Sequence, residues 1–238
     1  MRVKSLLRVF GSCAFFIVLQ ACASNPSLKD LSQDVDRGYT LPEGAGRVVT
    51  GYGLPNVPSN RFEYAITDHL AFTIDTIAPG LRLALIQTDW MYLGIAGNYL
   101  GIFNGASSEL GINITPFTKL RINGNYGYFN AFFIKADQAQ LSATWDVQLG
   151  QHFALGPKVT YARLRVGSDF VDKVWTDLTR ERANGYLISH FATATAHFLF
   201  NFSEHLDLEG EAGKYREYGN QGTTQEGFAW GLNLNFYF

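Results

Sequence analysis

Glu226-Gly-Phe-Ala-Trp-Gly-Leu-Asn-Leu-Asn-Phe-Tyr-Phe238 alternates bulky apolar residues with small or polar ones along its length. In an extended chain successive side chains point to opposite faces. Phe228, Trp230, Leu232, Leu234, Phe236 and Phe238 therefore share one side, and Gly227, Ala229, Gly231, Asn233, Asn235 and Tyr237 the other. Six large apolar groups at period two call for a long apolar partner surface. No later segment supplies one, whereas the hydrocarbon of a bilayer would.

Working back toward the N-terminus, the alternation recurs in Leu141, Ala143, Trp145, Val147 and Leu149, in Leu120, Ile122, Tyr126 and Tyr128, and in Leu110, Ile112 and Ile114. Leu81, Leu83 and Leu85 repeat it, as do Leu70, Phe72 and Ile74, and Phe62, Tyr64 and Ile66. Twelve strands are expected, near residues 47–53, 60–67, 69–76, 80–87, 91–102, 106–115, 119–129, 138–149, 152–166, 186–201, 205–217 and 226–238. Ten would result if the first two segments stayed out of the wall. Apolar residues at both Tyr161 and Leu164 break the parity and suggest a bulge near 161–166. Tight links alternate with more variable loops at 54–59, 77–80, 103–107, 130–137, 167–185 and 218–225. Ile66 to Leu70, Leu149 to Phe153 and Phe202 to Leu206 form a weak repeat, each passing through a polar turn and a histidine, as three equivalent hairpins would.

A terminal alternating strand closing on Phe resembles the last strand of bacterial outer-membrane β-barrels. The resemblance implies an antiparallel up-and-down transmembrane barrel over 47–238, placed in the cell outer membrane. It also implies that Leu234, Phe236 and Phe238 belong to the signal read by the barrel insertion machinery. An even strand number with short turns on one rim fits the same pattern.

At the other end, Arg2, Lys4 and Arg8 precede an uncharged run from Val9 through Leu19, the layout of a secretory signal peptide. Val18-Leu19-Gln20-Ala21-Cys22 resembles the bacterial lipobox. That resemblance implies removal of residues 1–21 by lipoprotein processing enzymes and acylation of Cys22 on its sulfur and amine. Ala23 is not the aspartate that commonly retains lipoproteins in the inner membrane. An ordinary signal peptide cut after Ala21 or Ala23 is the alternative. Cys13 would be discarded, and an acylated Cys22 leaves no thiol for a disulfide or a thiolate metal site. Residues 22–46, rich in Asn, Ser, Asp, Pro and Gly, read as a polar tether.

Charged residues make up 17% of the chain, below the roughly 25% of ordinary soluble domains, while aromatics reach 15% and glycines number 24. A net charge of −2 and the absence of a basic stripe with interleaved aromatics give no reason to expect nucleic acid. After Cys22 no apolar run approaches the roughly 20 residues of a transmembrane helix. A soluble lipocalin-like barrel would put the apolar face inside. The opposite face carries Asn113, Asn123, Asn125, Ser142, Thr144, Gln148, Thr193 and Thr195 among charges of both signs, which suits a wet lumen better than a solvated exterior.

The charges assigned to the lumen are Arg82, Glu109, Lys119, Arg121, Asp146, Lys158, Arg163, Arg165, Asp207, Glu209 and Glu211. They read either as a charge-selective constriction, with Asp207, Glu209 and Glu211 facing Arg121 and Lys158, or as a structural ion-pair network filling the barrel. Three histidines, His69, His152 and His205, fall at turns. His190 and His197 sit at odd separation on one strand, facing opposite sides, so they do not chelate one metal. Ser189 and His190 point apart, which argues against a nucleophile and base. Neither cofactor nor metal is expected. The expected function is a non-enzymatic, lipid-anchored barrel that is structural or a small passive pore and contacts outer-membrane lipids. The alternatives are surface ligand binding or adhesion through the 167–185 loop, a lipid-modifying enzyme, or a soluble lipid binder.

Overall fold

The computed structural model describes residues 39–54, 59–76, 78–115, 117–131, 134–149, 152–168, 186–219 and 224–238. Twelve strands form: β1 (Gly46–Leu54), β2 (Ser59–Thr67), β3 (Leu70–Asp75), β4 (Ala78–Gln87), β5 (Met91–Leu100), β6 (Phe103–Thr115), β7 (Thr118–Ala131), β8 (Ile134–Gln148), β9 (Phe153–Ser168), β10 (Tyr186–Ser203), β11 (Leu206–Gly219) and β12 (Thr224–Tyr237). Each pairs antiparallel with its sequence neighbours, and β1 pairs with β12 to close the barrel. The first two segments are part of the wall, so the ten-strand alternative falls. Closure leaves no strand edge unpaired. At the seam the Gly46 N–H donates to the Phe238 carbonyl at 2.8 Å and the Phe238 N–H returns to the Gly46 carbonyl at 3.0 Å.

The period-two pattern sets which way each side chain looks. In β12 the row Phe228, Trp230, Leu232, Leu234, Phe236 and Phe238 is outward, and Ala229, Asn235 and Tyr237 are buried inside. Neighbouring strands continue the outward apolar surface, with Leu81, Leu141, Val159 and Leu232 all more than 40% exposed. Glycine, alanine, polar and charged residues fill the interior. This polarity is the reverse of a soluble barrel, whose dry core is apolar. Exposed aromatics gather at both ends of the outer surface: Trp90, Phe117 and Phe202 near the short turns, Tyr52, Tyr99, Tyr126 and Tyr161 toward the other end.

The three histidine turns are structurally equivalent. His69, His152 and His205 each offer a backbone carbonyl, at 2.8, 2.9 and 2.9 Å, to the N–H of Ala84, Asn201 and Tyr237 on the neighbouring strand. Register shifts at Ala65/Thr67, Asn113/Thr115 and Asn201/Ser203 show that several short turns close through a bulge.

Four expectations need correction. No bulge occurs at 161–166, because β9 pairs with β10 without a shift from Gly167↔Tyr186 to Phe153↔Phe200. The stretches expected as loops at 103–107 and 130–137 belong largely to strands. Gly101, at φ 52°, lets β5 turn into β6 through Gly101 and Ile102 alone. Its neighbours Asn104, Gly105 and Ser107 resemble turn residues in sequence but pair in the ladder. Of the 77–80 loop, Ala78 to Gly80 already pair as β4. The 54–59 and 167–185 expectations fall mostly, and the signal peptide and Cys22 wholly, outside the described residues.

Candidate functional site

The inward faces of β7 to β11 converge on a chain of ion pairs in the half of the lumen next to the short turns. Register places Lys119 opposite Asp146, Thr195 opposite Lys158 and His197 opposite Glu211. The Arg121 Nε and Nη2 donate to Asp146 Oδ2 at 3.0 and 2.7 Å. Asp146 Oδ1 lies 2.7 Å from His197 Nδ1, and His197 Nε2 lies 2.8 Å from Glu209 Oε1. Both imidazole nitrogens thus face carboxylates, an arrangement satisfied by an imidazolium with two N–H donors. Glu209 also lies 4.0 Å from Arg121 Nη2. Beside them Lys158 Nζ pairs with Glu211 Oε2 at 3.1 Å, and the Thr195 hydroxyl donates to the same oxygen at 3.0 Å. His197 is 1% exposed and Asp207 is fully buried. Charges this deep persist only when paired and hydrogen-bonded.

A second cluster lines β1 to β7. Arg47 Nη2 sits 2.6 Å from Glu63 Oε2, and Arg82 Nη1 lies 3.9 Å from the same oxygen. Arg82 turns its Nε to the Tyr39 carbonyl at 3.0 Å and lays its guanidinium 3.8 Å from the centre of the Tyr39 ring. The Tyr39 ring stands 5.9 Å from that of Tyr92. Tyr92 donates its hydroxyl to Glu109, whose other oxygen accepts from Asn123 Nδ2 at 3.2 Å. Lys119 Nζ lies 4.9 Å from the centre of the Tyr92 ring, linking the two clusters.

Tyr39 to Ala45, the last part of the segment expected as a tether, packs within the barrel. The Thr40 hydroxyl donates to the Asp68 carbonyl, the Glu43 N–H donates to Asp68 Oδ1 at 2.8 Å, and the Tyr39 N–H donates to Gln87 Oε1 at 3.2 Å. Gly94 makes room for the Tyr39 ring, since a Cβ there would lie 2.0 Å from it, and Gly111 does the same under Tyr92 at 2.2 Å. Above this floor, toward the far ends of the strands, lies a cavity of about 480 Å³. Its walls carry Arg61, Asp75, Asn125, Gln138, Gln140 and Asn233, with Tyr39, Arg82, Glu109, Lys158 and Glu211 also lining it. Arg61 and Asp75 pair at 3.3 Å.

Nine expected lumen charges, Arg82, Glu109, Lys119, Arg121, Asp146, Lys158, Asp207, Glu209 and Glu211, lie on inward positions, and the acidic strand β11 meets Arg121 and Lys158. Arg163 and Arg165 do not join them. Unbroken pairing of β9 keeps them on the outward row with Tyr161, where both bind Asp137, Arg163 Nη2 at 3.4 Å from Oδ1 and Arg165 Nε on Oδ2. His190 and His197 face opposite sides, and outward His190 Nδ1 lies 2.7 Å from the Tyr161 hydroxyl. Among the described residues no cluster of His, Cys, Asp and Glu is placed to hold a metal ion. Glu63 was readable from its parity between Phe62 and Tyr64 but was not singled out. Tyr39 gives no periodic signal, because residues 39–45 are not extended.

No protein-family model matches the chain, and no curated protein matches it. Among solved structures it is similar to OmpT, an outer membrane protein of Vibrio cholerae, at 8% identity over 82% of this chain and 96% of that one, with a TM-score of 0.44. It is also similar to the NanC porin, at 9% identity over 80% and 98% of the two chains, TM-score 0.44. A further similar structure is Ail, the attachment invasion locus protein of Yersinia pestis, at 10% identity over 82% and 99%, TM-score 0.31.

Proposed function

We propose that this chain is a lipid-anchored, non-enzymatic outer-membrane barrel with a structural role, its lumen filled on the short-turn side by the ion-pair network. The observation that carries the reading is the inverted polarity: an apolar exterior band around paired, buried charges. Water would not tolerate that exterior over twelve strands, whereas hydrocarbon covers it and the closed ladder satisfies every backbone group that lipid cannot. Aromatics at both ends of the outer surface suit the two interfaces. The short turns then face the periplasm, on the side where an acylated Cys22 would sit. Leu234, Phe236 and Phe238 lie on the outward row available to insertion machinery. The cavity of about 480 Å³ at the other end favours a second reading, a vestibule for a polar solute, because amide side chains line it.

Three measurements on the full chain test the proposal. Radiolabelled palmitate should enter the wild type and not Cys22→Ala. The outer-membrane fraction should give a band whose gel mobility changes on boiling. Reconstituted barrel should show no steady conductance; open-channel steps would replace the filled lumen with a passive pore.

A further inference from the structure

Among the described strand residues, every charged side chain on the outward face lies on β8 to β12. Lys135, Arg163, Arg165, Lys214 and Arg216 stand there with Asp137 and Glu226, five cations against two carboxylates. The outward rows of β1 to β7 carry none. Asp137 is 3% exposed and draws Arg163 and Arg165 together, yet their side chains remain 43% and 38% exposed. Arg216 pairs with Glu226 and is likewise exposed. Arg163 stands beside His190 in register and Arg216 beside Ala192, so the β9 and β11 cations flank β10 within two rungs of each other. β8 to β11 spans three strand spacings, about 14 Å.

The height of the patch is as specific as its side. From Phe153 the outward row of β9 runs Leu155, Pro157, Val159 and Tyr161 before reaching Arg163. Ten residues of tilted strand rise about 25 Å, the height of an outer-membrane apolar band. Arg163 and Arg165 therefore stand where hydrocarbon gives way to headgroups, on the side away from the short turns, and Lys214, on the rung of Ala194 and Val159, starts lower with a long side chain that reaches toward the same level. A surface that is apolar below and cationic at the headgroup level complements an amphiphile with acyl chains and a phosphorylated head. We infer that the β8–β11 sector is a binding site for a phosphate-bearing lipid of the membrane leaflet on the long-loop side. This rests on the membrane reading above. It adds that one side of the barrel selects its lipid by phosphate.

The test uses the full chain, extracted from membranes and placed in phosphatidylcholine nanodiscs doped with bis-phosphorylated lipid A or with its dephosphorylated form. Lipid retained per barrel is counted by native mass spectrometry. Wild type is expected to retain the phosphorylated form about tenfold over the other. The triple variant D137N/R163Q/R165Q removes the pair group as a unit and strands no buried charge; Lys214→Gln changes one exposed cation. The triple variant should lose most of the preference and Lys214→Gln part of it, while both keep heat-modifiable mobility. Equal retention of the two lipids by inserted wild type, or an undiminished preference in an inserted triple variant, overturns the site. A chain that fails to enter nanodiscs at all overturns the membrane reading instead, and the site with it.

Discussion

Asp146→Ala removes the group on which the larger lumen cluster converges. Asp146 is 4% exposed and takes three charge-assisted contacts, two from Arg121 at 3.0 and 2.7 Å and one from His197 at 2.7 Å. Its loss leaves Arg121 and His197 with Glu209 as their remaining recorded carboxylate partner. Breaking a buried ion pair from one side costs about 3–5 kcal/mol, because the stranded charge keeps its desolvation penalty. The fall should sit in that range. Asp146→Asn, which keeps an acceptor oxygen and the side-chain shape, should cost less, about 1–2 kcal/mol. The double variant D146A/R121M removes both ends and should recover part of the loss. The assay is urea unfolding in detergent micelles, read from the folded and unfolded gel bands after equilibration from both directions. A cost below about 1 kcal/mol for Asp146→Ala would place the pair in water, where such contacts are worth little. It would refute a dry, packed lumen and predict conductance.

Other perturbations act on separate parts of the barrel. Gly94→Val pushes a side chain into the Tyr39 ring and should displace residues 39–45 from the lumen, raising conductance in planar bilayers above wild type. Leu232→Arg puts a charge midway along an outward row and should cost about 2–4 kcal/mol of folding free energy in lipid vesicles. The same assay should register far less for Asn125→Arg, which lines the cavity. Gly156→Ala aims a methyl 1.5 Å from the Trp145 carbonyl oxygen, so β8 and β9 must separate locally. Its folded fraction in the gel assay should drop, and amide exchange should quicken at that rung.

Much of the wall was legible because period two is a local signal. Phe62, Leu83, Ile112, Trp145 and Leu234 each announce their face through their immediate neighbours, and strand number follows from counting such runs. The nine lumen charges were readable for the same reason. What escaped was non-local. Tyr161 and Leu164 look like a slip in parity because one is on the outward row and the other lines the cavity, and both positions accept an apolar group. Nothing in the sequence around Arg163 and Arg165, expected in the lumen, reveals that Asp137 waits across the ladder. For His197 the sequence shows only that it faces away from His190. Its role as a bridge between Asp146 and Glu209 depends on three strands whose register only closure fixes. Tyr39 lies where composition suggests a tether, and the glycine hollow at Gly94 that receives it is separated from it by two hairpins.

The wall itself is uneven. β3 has 6 residues and β2 has 9, whereas β9 has 16 and β10 has 18. A bilayer crossing takes about 9–11 tilted residues, so β2 just meets a full hydrocarbon thickness and β3 falls short of it, while the high flank overshoots it. In the proposed membrane setting, lipids bordering β3 would have to shorten their chains to meet the protein, at fractions of a kcal/mol per Å of mismatch. That penalty would follow the barrel as it diffuses and be relieved where another thin-walled protein covered the same arc. Lateral company would then be chosen by geometry before any specific contact forms.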